Sequence, residues 1–175
     1  MSSLSPTARV ILGMLRLGPR TGYDIKRISD FSTRFFWGAS YGQIYPELRR
    51  LEGAGLVRSK EDPRGARQRR VYTLTKEGEG VVEAWLTEAD EVFELRDEGL
   101  LKLFFGEILG DDDLRRLVRR RRAWFEDVAR HFRGIADELG PIDDPSGEVL
   151  RYGIELMDWN AAWFAALEKR LNRPE

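Results

Sequence analysis

Two short strand-like runs, Leu56 to Lys60 and Val71 to Leu74, follow directly on three short helical segments. Between the runs lie Glu61 to Arg70, ten residues holding Pro63, Gly65 and four arginines. Pro and Gly punctuate the chain there, so the pair reads as an antiparallel hairpin with a basic tip. Three helices followed by strand, basic hairpin and strand is the order of a winged helix-turn-helix, and few other small folds accept it.

Each helical segment carries its own start signal. Ser5 reads as an N-cap with Pro6 at the first helical position. Val10, Ile11, Met14, Leu15 and Leu17 then form an apolar stripe, and Gly18-Pro19 ends it. Thr21 caps a second helix with Asp24 three residues on, and Tyr23, Ile25 and Ile28 supply its apolar contacts. Phe31 to Ala39 reads as a packed turn or a continuation of that helix. Ser40 opens a third helix with Gln43 in the capping-box position, and Ile44, Leu48 and Leu51 form its buried stripe. Pro46 lacks a backbone donor and crowds the carbonyl of Gly42, which a helix tolerates only near its start or at a kink. The third helix ends at Gly53-Ala54-Gly55. Thr75 caps a fourth, expected over 76–95.

Residues 96–175 are helical in pattern throughout. Leu100, Leu101, Leu103, Phe104 and Phe105 form an apolar segment ending near Gly110. Asp111, Asp112 and Asp113 suit a helix start, where the macrodipole favours negative charge. That helix carries Leu114, Leu117, Val118, Trp124, Phe125, Val128, Phe132, Ile135 and Leu139 on one expected face. After a loop at Gly140 to Gly147, a last helix carries Val149, Tyr152, Leu156, Trp159, Trp163, Phe164, Leu167 and Leu171.

The net charge of −1 conceals a strong asymmetry. Residues 1–76 carry 15 Lys and Arg against six Asp and Glu, a net of +9, and residues 77–175 carry 14 against 24, a net of −10. A basic first half suggests a polyanionic partner. With no cysteine and a single histidine, His131, thiolate chemistry and a two-histidine metal site are excluded. No metal, cofactor or catalytic group is expected. Nothing approaches a membrane-spanning apolar run, and no signal-peptide pattern opens the chain, so a cytoplasmic protein is expected. Gly38-Ala39-Ser40-Tyr41-Gly42 matches the G-x-S-x-G nucleophile pattern, but no core strand precedes it and only the distant His131 could act as base.

The chemistry therefore concentrates on binding. A helix that enters the major groove reads bases with its N-terminal side chains, here Ser40, Tyr41, Gln43 and Tyr45. Arg49 and Arg50 follow where backbone contact is plausible, and Arg64, Arg67, Arg69 and Arg70 could meet phosphates or an adjacent minor groove. A solvated hairpin beside a capped core helix is the alternative on these residues alone. The run Arg119 to Arg122 points in four directions around a helix and suits ion pairing with neighbouring acids better than a flat DNA-binding patch. Trp124, Tyr152, Trp159 and Trp163 fit core and dimer packing, or a pocket for an aromatic or cationic effector.

Three blocks resemble the PadR family of transcriptional regulators. They are Thr21-Gly22-Tyr23-Asp24-Ile25, then Gly42-Gln43-Ile44-Tyr45-Pro46-Glu47-Leu48-Arg49-Arg50-Leu51-Glu52 with Gly55-Leu56-Val57, then Arg70-Val71-Tyr72-Thr73-Leu74-Thr75-Lys76-Glu77-Gly78. They occur in the family's order across roughly residues 4–95, and the family also places a proline at position 46. The resemblance implies a homodimeric repressor on a palindromic operator in double-stranded DNA. Ser40, Gln43 and Tyr45 would read the duplex and the hairpin arginines would hold its backbone, with a longer helical C-terminal region for dimer contacts and, in some members, a small-molecule response. The expected fold is mainly α with a small β-hairpin wing. It comprises a winged helix-turn-helix over 1–75, a linking helix over 76–95, and a helical dimerisation and effector domain over 96–175. A small-molecule sequestering protein and a protein-interaction adaptor are the alternatives that do not bind DNA.

Overall fold

The computed structural model describes residues 4–18, 20–33, 35–37, 40–62, 69–89, 93–140 and 143–172, without the side chains of Phe31, Tyr41 and Asp62. The chain divides into two compact units, Met1–Val92 and Phe93–Glu175.

The N-terminal unit begins with α1 (Pro6–Arg16), whose N-cap Ser5 accepts from the Ala8 amide. A two-residue strand, β1 (Arg20–Thr21), leads into α2 (Gly22–Phe31). Then come α3 (Tyr41–Gly53), β2 (Val57–Asp62), β3 (Arg69–Leu74) and α4 (Lys76–Leu86). The antiparallel sheet has the order β1-β3-β2, with Thr21 opposite Val71 and Ser59 opposite Tyr72. Ile11, Leu12, Ile25, Ile44, Leu48 and Leu51 are fully buried at the centre, closed by Val57, Tyr72 and Val82. The apolar stripe predicted for α3 is thus the buried one, and the helix's remaining face is free. Trp37 donates its indole N–H to the Pro6 carbonyl (3.0 Å), tying the turn after α2 to the start of α1.

Several sequence expectations need correction. Leu17 does not join the α1 stripe. It is the C-cap and 74% exposed. The two-residue strand β1 carries no sequence signature and adds a third strand to the expected hairpin. The hairpin strands run further toward the tip than expected, so Arg69 and Arg70 pair within the ladder opposite Asp62 and Glu61. The helix expected over 76–95 stops at Leu86, where the Thr87 hydroxyl bonds the Glu83 and Ala84 carbonyls and competes with continuation. Its Val82 belongs to the N-terminal core, so α4 is part of the first unit.

The second unit contains α5 (Glu98–Phe104), a 3-10 turn (Gly106–Ile108), α6 (Asp111–Leu139) and α7 (Pro145–Leu171). Arg122 meets Glu168 (2.6 Å) and Arg133 meets Asp158, so α6 and α7 lie antiparallel. The turn between them includes Gly140 at φ 70°, the left-handed region glycine tolerates best. Leu117, Val118, Phe125, Ala129 and Phe132 pack toward Met157 and Phe164, with Phe125 stacked on Phe164 at 5.6 Å. The expected faces are shifted: Trp124, Leu139, Val149, Tyr152, Trp159 and Trp163 lie outside this seam, because a knob-and-hole pair of helices buries only a narrow stripe.

Candidate nucleic-acid interface

Local chemistry sets where each functional side chain stands. At α2 the Thr21 hydroxyl accepts from the Asp24 amide (3.1 Å), and Asp24 accepts in return from the Thr21 amide (3.1 Å) and hydroxyl (2.7 Å). The Thr21 hydroxyl is the main cause holding the Asp24 carboxyl below its ordinary range. Burial opposes it, and the Thr21 amide and the charges of Arg69 and Arg27 add to it. At α3 the Gln43 side-chain carbonyl accepts from the Ser40 amide (3.0 Å) and hydroxyl (3.1 Å). Both residues are exposed, but the acceptor end of Gln43 is engaged, leaving its NH2 group for outside partners. The two-bond contact with adenine that a free glutamine makes is therefore reduced to a donor.

The free face of α3 splits its two arginines. Arg50 turns back on Glu47 through two bonds, 3.0 and 2.8 Å, and Glu47 also accepts from the Ser5 hydroxyl at 2.6 Å. The Arg50 hydrogen bond chiefly holds the Glu47 carboxyl below its ordinary range, with burial opposing and Ser5 assisting. Arg49 instead lines an open cleft of about 440 Å³ beside α3, with Tyr45 from the same helix. The opposite walls are Thr21, Gly22 and Tyr23 at the start of α2, and Arg69, Arg70 and Tyr72 on β3. The Tyr45 ring crosses so near Gly22 that a Cβ there would stand 2.7 Å from it, which explains the glycine after Thr21. Arg70 lies 3.6 Å from Glu52, and Glu52 also accepts from the Ser59 amide and hydroxyl, fastening β2 to the end of α3.

Of the predicted DNA-facing residues, the structure brings Tyr45, Arg49, Arg69 and Arg70 together around the cleft and places Ser40 and Gln43 at the helix start. Arg50 stands apart with Glu47. Arg64, Arg67, the side chain of Tyr41 and the glycine-alanine part of the G-x-S-x-G pattern lie outside the described residues. Ser40 itself is the N-cap of α3 and donates to Gln43. Sequence reasoning passed over Tyr23 and Tyr72 as site residues, and their only signal was nearness to the capping threonine and the basic hairpin. Among the described residues no group of three or more His, Asp and Glu is placed to hold a metal, and no helix is long and apolar enough to cross a membrane.

The Arg119 to Arg122 run belongs to the second unit. Arg121 pairs with Asp97 and stacks over Phe125 (4.6 Å) and Trp124 (5.1 Å). Arg122 and Arg119 both meet Glu168, at 2.6 and 3.3 Å. The predicted aromatic group is exposed here: Tyr152 at 58%, Trp159 at 63% and Trp124 at 49%.

A helix with one apolar stripe and a free polar face, flanked by a strand hairpin and an arginine-lined cleft, defines a winged-helix DNA-binding regulator. Residues 11–84 match the model of the Transcriptional regulator PadR-like family, and residues 95–172 match Virulence activator alpha C-term. Residues 11–84 therefore form a PadR-like family domain. The Negative transcriptional regulator PadR of Bacillus subtilis is 29% identical over 148 residues, 81% of each chain. The crystal structure of B. subtilis PadR in complex with operator DNA aligns with a TM-score of 0.84 at 26% identity, covering 94% of this chain and 98% of that one. The same protein in complex with p-coumaric acid gives a TM-score of 0.77 at 24% identity, covering 99% of each. The Vibrio cholerae virulence activator AphA shares the fold, with a TM-score of 0.73 at 24% identity over 96% of this chain.

Proposed function

We propose that this protein is a cytoplasmic homodimeric repressor that binds a palindromic operator and acts by binding rather than by catalysis. In this reading Ser40, Gln43, Tyr45 and Arg49 face the major groove, and Arg69 and Arg70 meet phosphates together with Arg64 and Arg67. The first unit binds DNA. The second pairs with its twin, giving the two-fold symmetry a palindrome requires. One observation carries the reading: Tyr45 and Arg49 on the exposed side of α3 line one cleft with Arg69 and Arg70 of the hairpin. The operator complex of the B. subtilis relative supports it.

A small aromatic effector acting on the second unit extends the proposal. Its support is the exposed group Trp124, Tyr152, Trp159 and Trp163, and the p-coumaric acid complex of that same relative agrees with it.

The test is capture of genomic fragments by the full chain, followed by affinity measured against salt on a captured duplex. Replacing Arg69 and Arg70 by Ala should weaken binding to every duplex about equally. It should also lower the salt slope by roughly one unit per lost phosphate contact. Light scattering should give twice the chain mass of 20.2 kDa. An unchanged slope removes these two arginines from the interface, and absence of any captured fragment overturns DNA recognition.

A further inference from the structure

The exposed face of α3 contains two residues that a helix disfavours, one turn apart. Gly42 and Pro46 both lie inside α3 and both are exposed. Glycine is disfavoured in a helix relative to alanine, here in the first turn, and proline inside a helix far more so. Neither is required by packing. A Cβ on Gly42 would meet only the Ser40 hydroxyl, at 3.8 Å, and Gly42 does not have a positive φ. Pro46 lies off the buried stripe of Ile44, Leu48 and Leu51. Lacking an N–H, Pro46 also removes the donor that the Gly42 carbonyl would meet one turn on. The fold bears this penalty without internal return, so the reason for it lies outside the chain.

What stands around the pair narrows that reason. The Gln43 carbonyl is bound to Ser40, and Arg50 is bound to Glu47. The middle of the face is therefore a bare backbone at Gly42 followed by an apolar ring at Pro46, with polar groups only at its margins. On the base edges of the major groove, the C5-methyl of thymine is the one apolar group. Gly42, without a side chain, lets the helix approach closely enough for the ring to reach it.

Resting on the DNA-binding reading above, we infer that Pro46 is a specificity-determining residue that reads the methyl group of one thymine in each operator half-site, with Gly42 providing the close approach. Specificity at that base pair is then apolar, and it survives conditions that weaken hydrogen bonding to its neighbours.

The experiment uses the full chain. Duplexes are selected from a random library, and the thymines of the selected sequence are replaced one at a time by deoxyuridine, which removes only the methyl. Affinity is read by fluorescence anisotropy for the wild type and for Pro46→Ser. Replacing that thymine in one half-site should weaken the wild type about four-fold, the effect of exposing one methyl group, and replacing it in both half-sites about fifteen-fold. Pro46→Ser should bind the selected duplex more weakly and respond to that replacement by less than two-fold, while keeping the wild-type salt slope. Restoring an N–H within α3 favours folding, so loss of the helix does not confound the variant. If no deoxyuridine weakens the wild type, or if the weakening is undiminished in Pro46→Ser, the inference falls and the DNA-binding reading stands. If no sequence is enriched at all, that reading falls and this inference with it.

Discussion

Replacing Glu47 by Ala separates what this residue does for the fold from what it withholds from DNA. Its side chain is 14% exposed and accepts from Ser5 and twice from Arg50. Hydrogen bonds to charged groups contribute about 1.5–3 kcal/mol in buried settings. Arg50 is half exposed, so solvent screening discounts its share, and a loss of about 2 kcal/mol is expected for the alanine variant. For a unit of this size that lowers the melting midpoint by about 8 °C or more. The pH dependence has a definite sign. The folded carboxyl titrates below its ordinary range, so its contribution is present above an unfolded pKa of about 4.3 and fades as pH falls through the folded value. The gap between wild type and Glu47→Gln should therefore be full at pH 7 and close progressively below about pH 4.3. The variant also frees Arg50 on the exposed face of α3, so the salt slope of DNA binding should steepen by about one unit per half-site. Thermal melts across pH and anisotropy across salt check both arms. A midpoint unmoved by either substitution would refute the structural argument, and an unchanged slope would show that Arg50 points away from phosphate.

Two further substitutions probe the fold around the sites. Gly22→Leu should push the Tyr45 ring out of the cleft and weaken operator binding at least ten-fold, while the second unit's melting transition stays in place; calorimetry with binding assays reads this. Arg121→Met should destabilise the second unit by about 2 kcal/mol, because Asp97 is left partly buried without its cation. Asp97→Asn in the same chain should recover part of the loss in a double-mutant cycle.

How much was legible in the sequence follows the range of the interactions involved. Ser5-Pro6, Thr21 with Asp24 and Ser40 with Gln43 satisfy helix ends within three residues, so each signal is complete in a short window. The hairpin was visible from its turn residues, though not its full length, because Arg69 and Arg70 alternate poorly with their neighbours. The helix expected over 76–95 ends early because Thr87 closes it with its hydroxyl, a competition that apolar spacing does not report. The Glu47–Arg50 pair that separates Arg50 from Arg49 is itself local, three residues apart, and only its further tie to Ser5, 42 residues from Glu47, lies beyond any local pattern. The aromatic residues of α6 and α7 misled for another reason. Spacing reports which residues share a face, and two long helices have more than one face with aromatic spacing.

Basic residues in this chain differ less in number than in what already holds them. The first half carries a net +9, yet Arg50 is neutralised by Glu47 and Arg70 lies near Glu52, which leaves Arg49 and Arg69 as the cleft arginines outside any salt bridge among the described residues, although the charge of Arg69 still acts on Asp24. The most arginine-dense stretch of the chain, Arg119 to Arg122, is engaged within the second unit, three of its four members binding Asp97 or Glu168. A guanidinium paired within the fold must give up its acid before it can neutralise a phosphate, and counterion release is what makes phosphate contact favourable. On the function proposed above, affinity for DNA rests on the arginines of the cleft and the hairpin rather than on the total positive charge. On the inference drawn above, discrimination at one base pair of each half-site rests on shape at Gly42 and Pro46, beside the polar groups of Ser40, Gln43 and Tyr45.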